Sequence, residues 1–248
     1  AFCFLLLLKG ICMRTVRWPE IVCFLFFAFF AIGGGAFLAW KIGTFLPSGS
    51  VMGVAVFFLW IFITQALAIT LYRLFMHFMP LPPGYIEERS REEFIYHVHL
   101  LFFLIFFQPI MRSNILPVPM MTLFYKLLGA KIGKGTYPAG LVFDPLFITL
   151  GQDVTMGHGS GVVPHQIEGK LLSHEPIEVG DYATLGGYAI IFQGVKIGKN
   201  AIVAAGAVVA KGSVIPDNEI WGGAPARRIG YVKPEWRRGE ENSALVET

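Results

Sequence analysis

From Ile132 onward an aliphatic residue returns at every sixth position. The run Val179, Leu185, Ile191, Ile197, Val203, Val209, Ile215 and Trp221 keeps this spacing without a slip. Four positions after each of the first six stands a compact residue: Ala183, Ala189, Val195, Ala201, Ala207 or Ser213. A period of six is neither the 3.6 of a helix nor the two of a half-buried strand. It predicts a solenoid whose coil closes on itself and buries an aliphatic ladder. The same phase runs less purely through Ile132, Pro138, Asp144, Leu150, Met156 and Val162, where Pro138 and Asp144 break the aliphatic rule as a capping coil would. The phase slips once, between Val162 and Val179. The slip coincides with Pro164 to Pro176 (PHQIEGKLLSHEP), an irregular loop thrown out from the coil, where function is expected.

Before residue 129 the pattern changes to long apolar runs. Residues 21–40 and 51–72 carry no charge and are each long enough for a membrane span. The connection Lys41 to Ser50, with Pro47 and Gly49, reads as a tight turn between them. A cleaved signal peptide is the rival for the first, but its long uncharged core and the second span close behind argue against it. Residues 94–111 are also long enough to cross. Cationic flanks on both sides and Pro109, Pro117 and Pro119 favour a re-entrant or interfacial element instead. His97 and His99 within it read as imidazoles near the headgroups, with a substrate contact as the alternative. Residues 120–128 suit an amphipathic helix lying on the membrane. The chain opens on Ala, so the apolar stretch 1–8 is expected to end a longer segment.

Composition agrees with this division. The chain is 54% hydrophobic and only 15% charged, too apolar for a wholly soluble protein. Lys9, Arg14 and Arg17 precede the first span and Arg73, Arg89 and Arg91 follow the second, with only Lys41 between, which places both ends of the hairpin in the cytoplasm. The net charge of +3 is membrane-flanking, and no basic stripe with interleaved aromatics suggests a nucleic acid. Cys3, Cys12 and Cys23 all lie in or near the apolar half, so the repeat region has neither a disulfide framework nor a thiolate metal site. The expected organisation is a membrane region over 1–128, a solenoid over 129–233 with its loop at 164–176, and a polar, mobile tail over 234–248.

The segments LGAKIGKG (128–135), LGQDVTMGHGSG (150–161), IGKNAIVAAGAVVAKG (197–212) and WGGAPARRIG (221–230) carry a more specific signal. Over about 131–233 the chain resembles the hexapeptide-repeat acyltransferases. Within them it looks most like the membrane-attached branch that includes the membrane-tethered ends of some nonribosomal peptide synthetases. The resemblance implies apolar helices followed by a left-handed parallel β-helix with three hexads per coil. It also implies a homotrimer with active sites between subunits, acetyl-CoA or another acyl-CoA as co-substrate, and no metal.

Acyl transfer from a thioester needs a base for the acceptor's proton, and histidine suits neutral pH. The solenoid holds His158, His165 and His174. The resemblance implies His165, on the extruded loop, as the base. Glu168, three residues on, is expected to hold its other nitrogen. No Ser or Cys pairs convincingly with a base, which favours direct transfer. By the same resemblance Gly187 and Ala205, one 18-residue coil apart, border the pantetheine arm, while Lys211 and Arg227 meet the phosphates, with Arg228 able to replace the latter. The expected function is transfer of an acyl group, most simply acetyl, to a hydroxyl or amine of a membrane-associated acceptor such as a lipid-linked glycan. The expected location is the cytoplasmic membrane, multi-pass, with the catalytic domain facing the cytoplasm. Two other readings stand beside it. One is a catalytically inactive scaffold. The other is a zinc enzyme like the gamma carbonic anhydrases, which bind metal by three histidines; the irregular spacing of His158, His165 and His174 speaks against a converging tripod.

Overall fold

The computed structural model describes residues 14–45, 49, 51–113 and 115–239. The apolar stretch 1–8, Cys3, Cys12, the Pro47 turn and the tail beyond 239 fall outside the described residues. The chain divides into two compact units, one of 1–82 with 86–110, the other of 83–85 with 111–248.

The first unit is helical. Helix α1 (Trp18–Gly43) overruns the first expected span at both ends, and helix α2 (Met52–Phe78) starts with the second and runs past its C-terminal end. Phe24, Ala28, Ala31, Gly35, Ala39 and Gly43 are the buried apolar stripe of α1. Small side chains let the two backbones approach, as membrane helix pairs prefer. A Cβ on Gly35 would lie 3.1 Å from the Thr64 backbone. Large apolar residues such as Phe29, Phe58 and Phe62 point outward. The segment expected to be re-entrant or interfacial is a continuous helix, α3 (Arg91–Ser113), long and apolar enough to cross a membrane. Pro109 does not break it, because the turn before it widens: Phe103–Phe107 is π-helical. Gln65 donates to the Phe106 carbonyl in that stretch at 3.1 Å. His97 and His99 are both buried. His97 lies 3.8 Å from Glu20, and His99 Nδ1 meets the Tyr72 hydroxyl at 2.9 Å.

The helix that lies wholly in the second unit is α4 (Val118–Leu128). Its two faces differ: Met121, Phe124, Tyr125 and Leu128 are buried on the first coil, while Met120, Leu123 and Leu127 stay exposed. An open coil end would leave its ladder wet, so something apolar must close it. The Tyr125 hydroxyl donates to Gly140 O at 3.2 Å, and burial pushes its pKa up to about 12.

Beyond Gly129 the chain winds as the expected parallel β-helix. Three sheets form its sides. Face one stacks Lys131–Ile132, Ile148–Leu150, Ile177–Val179, Lys196–Ile197 and Val214–Ile215. Face two stacks Tyr137–Pro138, Thr155–Met156, Thr184–Leu185, Ile202–Val203 and Glu219–Gly222; face three stacks Leu141–Val142, Gly161–Val163, Ile190–Phe192 and Val208–Val209. Val179 pairs with Ile197, 18 residues on, and Leu185 with Val203. The ladder from Val179 to Ile215 and the compact column Ala183, Ala189, Val195, Ala201 and Ala207 are both buried. The compact residues are small because the coil interior has room for one large residue per side. At the corners the chain passes within contact of the next coil: a Cβ on Gly180 would lie 2.8 Å from Lys199 N. An antiparallel strand, Arg227–Tyr231, folds back on Glu219–Gly222 to close the last coil. The expected mobile tail is held at its start, where Arg238 N donates to Asn200 Oδ1 at 2.9 Å.

Candidate active site

The site is built where the coil pattern fails. Leu150 pairs with Val179, 29 residues on, so eleven residues beyond one coil leave the corner between faces three and one. They are not an irregular loop. They form an antiparallel hairpin, His165–Glu168 against Leu171–His174, turned by the two residues Gly169 and Lys170, with Gly169 at φ 59°. A two-residue hairpin turn favours such a left-handed glycine. The register sets His165 directly opposite His174. Cross-strand neighbours on one face lie about 5 Å apart.

The hairpin is pinned along its corner by polar contacts to later coils. Gln193 Nε2 donates to Ser173 Oγ at 3.0 Å, and Lys211 Nζ donates to both Glu168 oxygens at 2.5–2.6 Å. This corrects two expectations. Glu168 does not hold His165, because residues three apart in a strand face opposite ways. Lys211 lies at the hairpin's own corner, and the Glu168 hydrogen bond raises its pKa, so its charge is engaged there rather than waiting for phosphate.

The carboxylate on His165 is Asp144, which sequence reasoning did not assign. Asp144 Oδ2 accepts a hydrogen bond from His165 Nδ1. It lies at the same corner one coil earlier, 3% exposed, with φ 41° ahead of the short 3-10 turn Pro145–Phe147. Asp is among the few residues that tolerate this left-handed backbone. Its signal in the sequence was the break in the aliphatic ladder: a carboxylate in a core column must have a partner. Burial has the largest single influence on the His165 pKa and pulls it down. The hydrogen bond and charge of Asp144 together outweigh burial, so the pKa ends above the ordinary histidine value. With Nδ1 donating to Asp144, Nε2 is left as the proton acceptor. The side chain stays about a third exposed, so a substrate can reach it. His174 is fully buried, its ring 5.1 Å from Phe147 and 6.0 Å from His165, its Nε2 4.0 Å from Asp144 Oδ2.

Asp144, His165 and His174 are the one trio among the described residues able to offer three metal ligands, with ligand atoms within 4.8 Å of one another. Ligands of a tetrahedral zinc at ~2.0–2.1 Å stand about 3.3 Å apart. Here one pair is in hydrogen-bond contact and another is 4.0 Å apart. That spread fits a hydrogen-bonded dyad, not a closed zinc tripod. His158 lies at another corner, edge-on to Tyr188 at 6.0 Å.

Gly187 and Ala205 do lie one above the other, at the corner between faces two and three, where Gly206 N donates to Gly187 O at 2.9 Å. That corner and the Asp144–His165 dyad are separated by the width of face three, so a single chain does not bring the two together. Arg227 is exposed in the closing strand and bonds only to the Ala226 carbonyl among the described residues, whereas Arg228 is held by Glu219 and Tyr231.

Comparison with known proteins places this geometry in context. Residues 176–211 match the family model described as the hexapeptide repeat of succinyl-transferase. The chain is 34% identical over 130 residues to the putative acetyltransferase YvoF of Bacillus subtilis, covering 49% of this chain and 72% of that protein. It is 30% identical over 127 residues to the delta-poly-L-ornithine synthetase of Acinetobacter baumannii, covering 48% of this chain but a tenth of the synthetase. It is 32% identical over 130 residues to the mitochondrial gamma carbonic anhydrase 2 of Arabidopsis thaliana, of which it covers 45%.

Proposed function

We propose, from the premise that this chain belongs to the hexapeptide-repeat acyltransferase family, that it moves an acyl group from acyl-CoA to a hydroxyl or amine, with His165 as general base and Asp144 orienting it. The observation that carries this reading is the dyad itself: a reachable imidazole at the foot of a pinned hairpin, its second nitrogen on a buried carboxylate.

The acceptor's O–H or N–H proton passes to His165 Nε2 as the acceptor attacks the thioester carbonyl. Asp144 stabilises the imidazolium so formed. Collapse of the tetrahedral intermediate expels the coenzyme A thiolate, which takes the proton back from Nε2. Gly187 and Ala205 leave room along their corner for the pantetheine arm, and Arg227 is the cation open to the nucleotide phosphates.

A second copy must complete the site, since the dyad and the Gly187–Ala205 corner lie a face apart. The outward residues of face three, Leu141, Gly161, Ile190 and Val208, are uncharged and mostly apolar, whereas face one carries Lys131, Glu178 and Lys196. An apolar flank of this kind suits burial against a neighbour, and a homotrimer would bring one subunit's dyad to the next one's corner. Helices α1 and α2 with their cationic flanks support a membrane hairpin whose two ends face the cytoplasm; with α3 staying on that side, the protein is multi-pass with its β-helix in the cytoplasm, and its acceptor is delivered at the membrane, such as a lipid-linked glycan.

The test is release of coenzyme A thiol from acetyl-CoA by the full chain in detergent, with a membrane lipid extract as acceptor, paired with calorimetric titration of acetyl-CoA. His165→Ala should keep binding and lose at least ~10²-fold in rate. Unchanged turnover would remove His165 from the mechanism; no binding by the wild type would remove the activity.

A further inference from the structure

The corner that carries Gly187 and Ala205 does not end there. Over the first two coils the same corner forms one wall of a groove of about 930 Å³. Its other wall is Met111 and Arg112, in the last turn of α3, with Leu116, Pro117, Val118 and Met121 at the start of α4. The volume matches a ligand pocket. Met111, Leu116, Met121, Tyr137 and Leu141 give it apolar sides, and Arg112 stands among them. Arg112 forms no ion pair with a carboxylate of the described residues, unlike Arg14, Arg17 and Arg228. On the outer side of the same wall Ile115 (79% exposed) and Met120 (54%) are bare. Water disfavours such a display, whereas a lipid surface accepts it.

We infer that this groove binds a lipid-anchored anion, its tail along Leu116, Met121, Tyr137 and Leu141 and its phosphate on Arg112. A purely hydrocarbon occupant, such as the chain of a long acyl thioester, would give the guanidinium nothing to bond; a phosphate next to a tail satisfies both parts. The inference rests on the transfer reading above and supplies its acceptor class: the groove would deliver a lipid phosphate-linked acceptor to the corner that holds the thioester arm.

The test reads binding, not turnover. The full chain is placed in phosphatidylcholine nanodiscs doped with diazirine-tailed phosphatidic acid, irradiated, digested and mapped by mass spectrometry. Label is expected on peptides containing Met121, Tyr137 or Leu141. Arg112→Gln should lower it roughly tenfold, while label on α1 and α2 stays constant. Ala139→Trp, which fills the groove, should abolish it without reference to charge. His165→Ala should be labelled like the wild type, so that loss of transfer and loss of this site are distinguishable. Four results would overturn the inference: label confined to α1 and α2, equal label from diazirine-tailed phosphatidylcholine, displacement by excess inorganic phosphate, or displacement by palmitoyl-CoA.

Discussion

The coils from Val179 to Ile215 and the corner between faces three and one are built from the same backbone but obey different rules. In the coils every position answers to packing: a large aliphatic residue, then a compact one, all buried, with identical register every 18 residues. At the corner the chain admits a buried carboxylate, a left-handed aspartate, an eleven-residue excursion and two facing histidines. The first region shows how little variety a three-sided coil tolerates. The second shows that departures from its pattern are costly enough to need a reason. Asp144 in a ladder position has one in His165.

Several substitutions break or sharpen this contrast. The largest effect belongs to the ladder: Leu185→Asp places an unpaired charge in a position with no exposed surface, and the β-helix should fail to fold, read as loss of the cooperative unfolding transition. Leu185→Ala should fold but lose about 2–5 kcal/mol in denaturant unfolding. The corner should respond more in rate than in stability. His165→Ala is expected to cost ~10²–10⁴ in turnover and, by taking the imidazole from the buried Asp144 carboxylate, about 1–3 kcal/mol in denaturant unfolding.

Asp144→Asn separates the two properties further. It keeps the shape and removes the charge, so turnover should fall by roughly 10²-fold or more. The base must be neutral to act, so wild-type activity should rise with pH through the raised His165 pKa. Without Asp144 the lowering effect of burial is unopposed, and the midpoint should move to lower pH. Stability runs the other way. His165 holds its proton more tightly folded than unfolded, so this contribution is complete below about pH 6.5 and fades as pH climbs past the raised value. Glu168→Gln should have the smallest effect, a few-fold loss of rate from a looser hairpin that grows milder in high salt, because both partners are solvent-exposed. Treatment of the protein with EDTA should leave transfer unchanged; its loss would favour a metal on Asp144, His165 and His174 over the dyad.

Much of the β-helix was legible because each hexad repeats a local rule, from Ile132 to Trp221. The candidate site was half legible. His165 stood out on the one stretch where the phase slipped. Its partner did not, because contacts in a solenoid run between coils: Asp144 is 21 residues away in sequence, whereas Glu168, only three away, points to the other side of the strand and is taken by Lys211. Asp144 was visible as a fault in the ladder, yet a capping coil explained the fault equally well. The hairpin turn at Gly169–Lys170 could have been read from alternation on either side of a glycine. In the helical unit Pro109 suggested a break that a single π-helical turn absorbs, a choice made by packing around Phe102 and Phe106 and not encoded by the proline.

The pH dependence of coenzyme A release, measured side by side for the wild type and Asp144→Asn, tests the dyad most directly. The wild type should gain activity through one ionisation above the ordinary histidine value, and the variant should show a lower plateau reached at lower pH. Superimposable profiles with equal plateaus would mean that Asp144 does not govern His165, and that the base lies elsewhere.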